Sequence, residues 1–183
     1  MSGRYAPPPA GELTEEQRRV AAAISGGLRG EIPGPLAMWL LRPDFADRAQ
    51  RLGEYARYQT CLPPLLSEIA ILAVARHWCS EFEWHAHKQI AFDAGVSSAA
   101  IESIRTHQVP DWETPDQAAV HEFSRTLLES QRVSDEIFER TIAVLGQDGV
   151  VDLVGILGYY SLISMTINVF EVPLPAGAAS ELA

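Results

Sequence analysis

Cysteine is scarce in this 183-residue chain: Cys61 and Cys79 are the only two, and they form no CxxC pair, no Cys/His zinc spacing and no secreted framework. That usage fits a reducing cytoplasm. Basic residues are few as well. Fourteen Lys and Arg stand against 24 Asp and Glu, for a formal net charge of −10, and no basic run occurs, so nucleic acid and anionic membrane are poor partners. No stretch has the period-2 alternation and β-branched enrichment of a strand. The first residues, Met1 to Gly11, carry Arg4 and Pro7-Pro8-Pro9 without the apolar segment of a leader, and read as a loose arm. Val150 to Phe170 approaches the ~20 residues that span a bilayer. It contains Asp152, Tyr159, Tyr160 and Asn168, and reads as a buried helix suited also to a subunit interface.

What is present is an ordinary globular composition, 47% hydrophobic and 21% charged. At this length one domain is expected, burying roughly two thirds of its unfolded surface without staples. The arm is placed at residues 1–12, the domain at 13–173 and a small-residue tail at 174–183. The reading is all-α. Thr14 caps a first helix that stops at Gly26-Gly27; a Pro/Gly loop leads to a short apolar piece, Leu36 to Leu41; Pro43 opens a helix to about Tyr58. Pro63-Pro64 starts the next, to about Trp78, and after a tight break another runs from Ser80 to Ala94 before Gly95. Ser97 caps a short helix, Thr114-Pro115-Asp116 opens one ending near Gln131, Ser134 caps one ending before Gly146, and the last spans Gly149 to Phe170. The openings at Thr14 and Thr114 echo each other, which common capping chemistry explains as well as duplication does.

The informative region is Leu65 to Ala94, two helices joined so tightly that they must form an antiparallel hairpin. On a helical wheel the first is apolar in almost every direction, and Glu68 sits inside that surround. A buried carboxylate requires a partner or a raised pKa. On the second, Glu83, Trp84, His87, Ile90, Ala91 and Ala94 share one face, while Glu81, Phe82, His85, Gln89 and Asp93 lie on the other. Glu83 and His87, at i and i+4, then point inward and can converge with Glu68 as an acid–base cluster. Two plainer readings stay open: Glu68 as a carboxylate favoured near a helix N-terminus, and Glu83–His87 as a surface pair. His85 is expected in solvent, His77 in a cap-like contact, and His107 and His121 on polar stretches. The three residues could ligate a metal, but the second Glu-x-x-His repeat of carboxylate-bundle sites is missing, so no metal is expected.

Glu68-Ile69-Ala70-Ile71-Leu72, Glu83-Trp84-His85-Ala86-His87 and Ala91 to Ser97 with Ile101, flanked by Gly34-Pro35-Leu36-Ala37-Met38-Trp39-Leu40, Arg57, Leu62 and Gly158-Tyr159-Tyr160, resemble the carboxymuconolactone decarboxylase family, which includes the alkyl hydroperoxidase D (AhpD) type proteins. The likeness covers about Gly34 to Phe170. It implies an AhpD-like helical bundle with the hairpin at its centre, assembled as a homo-oligomer, a trimer or hexamer, with the active site near a subunit interface. In redox-active members a Glu precedes a Cys-x-x-Cys pair, and a His follows the second Cys by four. Those cysteines fall here on Ser80 and Glu83. Without them a thiol peroxidase lacks its nucleophile and resolving partner, and Cys79 is one position off. The decarboxylase branch fits better: it uses no cofactor and implies Glu68, Glu83 and His87 as catalytic groups, with Arg57, Ser80 and Trp84 binding a small carboxylated lactone or related compound of aromatic catabolism. The alternatives are peroxidase-type activity and a non-catalytic, ligand-binding oligomer.

Overall fold

The computed structural model describes residues 4–182, so Met1–Gly3 of the arm and Ala183 lie outside the described residues. It contains a 3-10 turn at Ala10–Glu12 and eight α-helices among the described residues: α1 (Glu15–Ser25), α2 (Gly34–Trp39), α3 (Pro43–Tyr58), α4 (Pro64–His77), α5 (Glu81–Asp93), α6 (Ser98–Arg105), α7 (Pro115–Ser130) and α8 (Asp135–Phe170).

The termini follow local chemistry. Thr14 and Gln17 satisfy each other's backbone N–H groups in a reciprocal capping box, and Ser97 and Ser134 cap α6 and α8. Thr114 makes no such cap, so the echo with Thr14 is not repeated in structure. Proline, which needs no amide partner in a first turn, opens α3, α4 and α7. The two helices expected on either side of Gly146 are both present within α8, and the helical path breaks between them where Gly146 takes φ 71° and ψ 176°.

α4 is the central rod. Every residue from Leu66 to Ala75 is buried, and the helix packs against α5, α7 and α8. α1, α2 and α3 form a second group, joined to α8 through α2 and α3. Trp39 Nε1–H donates to Thr166 Oγ1 (3.0 Å), fixing α2 on α8. Asp152 of α8 accepts from the Tyr55 hydroxyl and the Cys61 amide, both at 2.7 Å, and so holds the end of α3 and the loop before α4. The apolar end of α8 passes a length-and-hydropathy test for crossing a membrane, yet 61% of that window is buried within the protein, as in a core helix.

The turn between α4 and α5 closes in three residues. Ser80 N–H donates to Ala75 O (2.8 Å) and Cys79 N–H to Arg76 O (3.1 Å), a Schellman closure whose left-handed position is taken by Cys79 at φ 47°. Residues near both ends of the described chain contact the body. The Tyr5 hydroxyl donates to Gly34 O (3.3 Å). The tail returns to α5, where Glu81 accepts from the amides of Glu181 (2.9 Å) and Leu182 (2.8 Å), and Leu182 is buried.

Two stability effects follow. Cys79→Gly relieves a side chain held in the left-handed region and should raise stability by about 1 kcal/mol, or about 2–4 °C in melting temperature. Gly53→Ala would set a methyl 2.0 Å from the hydroxyl of buried Tyr159, and overpacking there should cost about 1–3 kcal/mol, read by thermal unfolding.

Candidate functional site

Glu68 stands in the second turn of α4, within a helix that leaves a side chain no route to water. Its carboxylate meets the antiparallel partner: Glu68 Oε2 lies 2.7 Å from His87 Nδ1. From the other side of the ring, Glu83 Oε1 lies 3.2 Å from His87 Nε2, as the i,i+4 spacing on α5 allows. Glu68, Glu83 and His87 are 6%, 4% and 2% exposed, so the surface-pair and helix-terminus readings do not hold. Burial alone would drive the proton off His87, but its hydrogen bonds to Glu68 and then Glu83, with their charges, raise its pKa from 6.5 to about 9. These contacts favour the imidazolium, which donates to both carboxylates. Among the described residues no cluster of His, Cys, Asp and Glu is arranged to hold a metal ion.

One side of the cluster opens on a small recess of about 50 Å³, lined by Glu83 and His87 together with Arg29, Arg57, Phe82 and Tyr160. Glu68 stands behind His87, away from the opening. Arg57 comes from the last turn of α3. Its burial opposes its charge, yet Tyr160, Tyr58, Glu68 and Glu83 hold its pKa above the ordinary value. Tyr160 of α8 sets its ring edge-on to the His87 imidazole, centroids 5.1 Å apart, and burial pushes its phenol well above the usual range. Tyr159 is pushed up to about 12, chiefly by burial.

Of the six residues expected at the site, Glu68, Glu83, His87 and Arg57 are brought together. Ser80 and Trp84 are not. Ser80 is fully buried in the hairpin turn, and Trp84 faces away from the recess, its Nε1–H donating to Glu181 Oε2 (3.4 Å) beneath the tail. The hollow beside Trp84 is lined by Lys88, Glu102, Arg105 and Glu181, ionic groups already paired as Lys88–Glu181 and Arg105–Glu102. Phe82 is corrected in the opposite sense: assigned to the outer face of α5, it lines the recess. A 100° step per residue puts it only one position from Glu83, and the recess wraps past that position.

Two polar residues of the recess, Arg29 and Tyr160, were not among the expected site residues. Arg29 lies in the Gly/Pro loop after α1, where its only signal is a cation isolated among glycines. Tyr160 sits in an apolar run whose aromatics read as core. Among the other histidines, His85 is half-buried rather than in solvent, and His77 is exposed, edge-on to Trp78. His121 is buried against Trp112, and desolvation lowers its pKa to about 4. Neither Cys61 nor Cys79 lines the recess; both are exposed.

No family profile matches the chain, and no curated protein matches it in sequence. Solved structures do. An uncharacterized peroxidase-related protein from Silicibacter sp. TM1040 superposes with a TM-score of 0.78 at 12% identity, over 99% of this chain and 96% of that one. The alkylhydroperoxidase AhpD core of an uncharacterized peroxidase-related protein from Ralstonia eutropha JMP134 gives 0.76 at 16% identity, over 95% and 93%. The debrominase Bmp8 gives 0.74 at 13% identity, over 94% and 92%. At such identities the agreement speaks for the backbone, and the chain has the all-helical AhpD-like fold.

Proposed function

We propose that this protein is a cofactor-independent acid–base enzyme that releases carbon dioxide from a small carboxylated lactone or β-keto acid. The observation that carries this is the buried Glu68–His87–Glu83 cluster at the wall of a recess, an imidazole within hydrogen-bond reach of two carboxylates. In a substrate of this class the bond from carbon to the departing carboxylate breaks, and its electron pair moves into the neighbouring carbonyl to give an enolate. The proton between His87 Nε2 and Glu83 then passes to that carbon, and solvent restores it. Glu68 fixes the ring and favours its charged form, much as a carboxylate behind a catalytic histidine does elsewhere. Arg57 would hold a carboxylate that stays on the substrate, since gripping the one that leaves would stabilise the ground state.

The resemblance to carboxymuconolactone decarboxylases supports the reaction class. Peroxidase chemistry is disfavoured because neither thiol reaches the recess. A non-catalytic binding module would have no need for a 2.7 Å buried ion pair at its pocket wall. Assembly into a homo-oligomer, a trimer or hexamer, belongs to the same proposal. It is supported by the exposed apolar stripe Val151, Val154, Met165 and Val169 along α8, and light scattering reads it directly.

Assaying lactones and β-keto acids for carbon dioxide release should find a turned-over substrate. With it, His87→Ala and Glu83→Gln should each lower kcat by about 10²–10⁴-fold, while alkylation of both cysteines leaves turnover intact. Unchanged turnover in His87→Ala would refute the reading.

The pH dependence has a definite sign. Folding raises the His87 pKa, so its contribution to stability is complete below pH 6.5 and disappears as pH rises through about 9. The denaturant midpoint should therefore decline over that interval, and kcat/KM should fall with an apparent pKa near 9. An imidazole NMR titration near 6.5 would contradict both.

A further inference from the structure

The Tyr160 hydroxyl is a buried donor without an acceptor among the described residues. The side chain is 2% exposed, held edge-on by His87 and by Tyr159 (centroids 5.4 Å apart), and lines the same recess as Glu83. Leaving such a group unpaired costs about 1–3 kcal/mol, so a native site that retains it calls for a function. A phenol held far above its ordinary pKa stays neutral and keeps its proton to donate to an oxygen placed before it.

The neighbouring charges say what else that ligand carries. Two guanidiniums, Arg29 and Arg57, face the recess, and neither has a carboxylate within ion-pair distance among the described residues. Arg29 Nη2–H donates to the Tyr159 hydroxyl (3.3 Å), which fixes the guanidinium, while its Nε–H is buried without a partner. With the imidazolium set against Glu68 and Glu83, the walls keep one positive charge in excess.

We propose that Tyr160 is the hydrogen-bond donor to a substrate carbonyl oxygen and Arg29 the second clamp, beside Arg57, for a carboxylate on the same small molecule. The recess thus selects a carbonyl compound bearing one retained carboxylate. The inference deepens the decarboxylase reading by naming the substrate's recognition elements. In that reaction the carbonyl oxygen bonded by Tyr160 becomes the enolate oxygen, where a fixed donor is worth most.

Binding can test this without turnover. 5-Oxotetrahydrofuran-2-carboxylate has both the carbonyl and the carboxylate, and tetrahydrofuran-2-carboxylate lacks only the carbonyl. Calorimetry on the wild-type protein should find the lactone acid bound about tenfold more tightly than the ether acid. Tyr160→Phe should abolish that preference, leave affinity for the ether acid unchanged, and melt at the same or a higher temperature because an unpaired hydroxyl is gone. Arg29→Gln should weaken both acids by a similar factor, about tenfold, with partial recovery in Arg29→Lys. Equal binding of the two acids by the wild-type protein, no binding of either, or a preference that survives Tyr160→Phe would overturn the proposal. Both acids unaffected by Arg29→Gln would remove Arg29 from it. Glu83→Gln separates the two readings, since it should slow carbon dioxide release by about 10²–10⁴-fold and keep the lactone preference. Discrimination between the acids with no carbon dioxide release from any substrate would sink the decarboxylase and leave this recognition standing.

Discussion

A carboxylate in a helix that is buried on every side has one way to remain charged, and in this molecule that way runs across a hairpin. Glu68 on α4 reaches His87 on α5 over 2.7 Å, and the imidazolium is favoured first by that bond and then by Glu83 at its other nitrogen. The rest of the architecture can be read from this requirement. The two helices must be antiparallel and in register to within one turn, so the link between them has to close in three residues. Even a cysteine in a left-handed conformation is tolerated there, because the contact beyond it is fixed. Replacing a buried ion pair by apolar groups is often neutral or stabilising in proteins. Keeping one at the wall of a recess therefore argues for a role other than stability.

Much of this was legible in the sequence, for reasons that differ by residue. Helix boundaries were accessible because capping and proline chemistry is local: Thr14, Ser97, Ser134, Pro43 and Pro64 act within a turn of themselves. Glu68 stood out because its neighbours are uniformly apolar, and Glu83 with His87 because their spacing is that of one helical turn. Trp84 and Ser80 were misplaced because a wheel shows which side of a helix is buried, not what buries it. Helix α5 is covered on one side by α4 and on another by the C-terminal tail, and Trp84 reaches the latter. Arg29 and Tyr160 are supplied by a loop and by the last helix, and their approach to His87 depends on how α1, α3 and α8 pack. No local pattern encodes that. His121 was missed for the same reason: it is buried by Trp112, nine residues away, although its sequence neighbours are polar.

The comparison of backbones sharpens the division of labour between fold and site. Chains that share little more than a tenth of their residues keep this arrangement of helices, and among them are a debrominase and proteins described as peroxidase-related. What the scaffold holds constant is a hairpin that brings two helical faces into a dry interior. The chemistry is then set by which few side chains stand at those positions. Here they are two carboxylates and an imidazole, a set suited to moving protons.

The C-terminal tail adds a coupling of its own. Glu181 and Leu182 bind the outer face of α5, the helix whose inner face carries Glu83 and His87. One helix therefore serves two contacts at once. Residues 181 and 182, remote from the reacting groups, are anchored on the same element that presents Glu83 and His87.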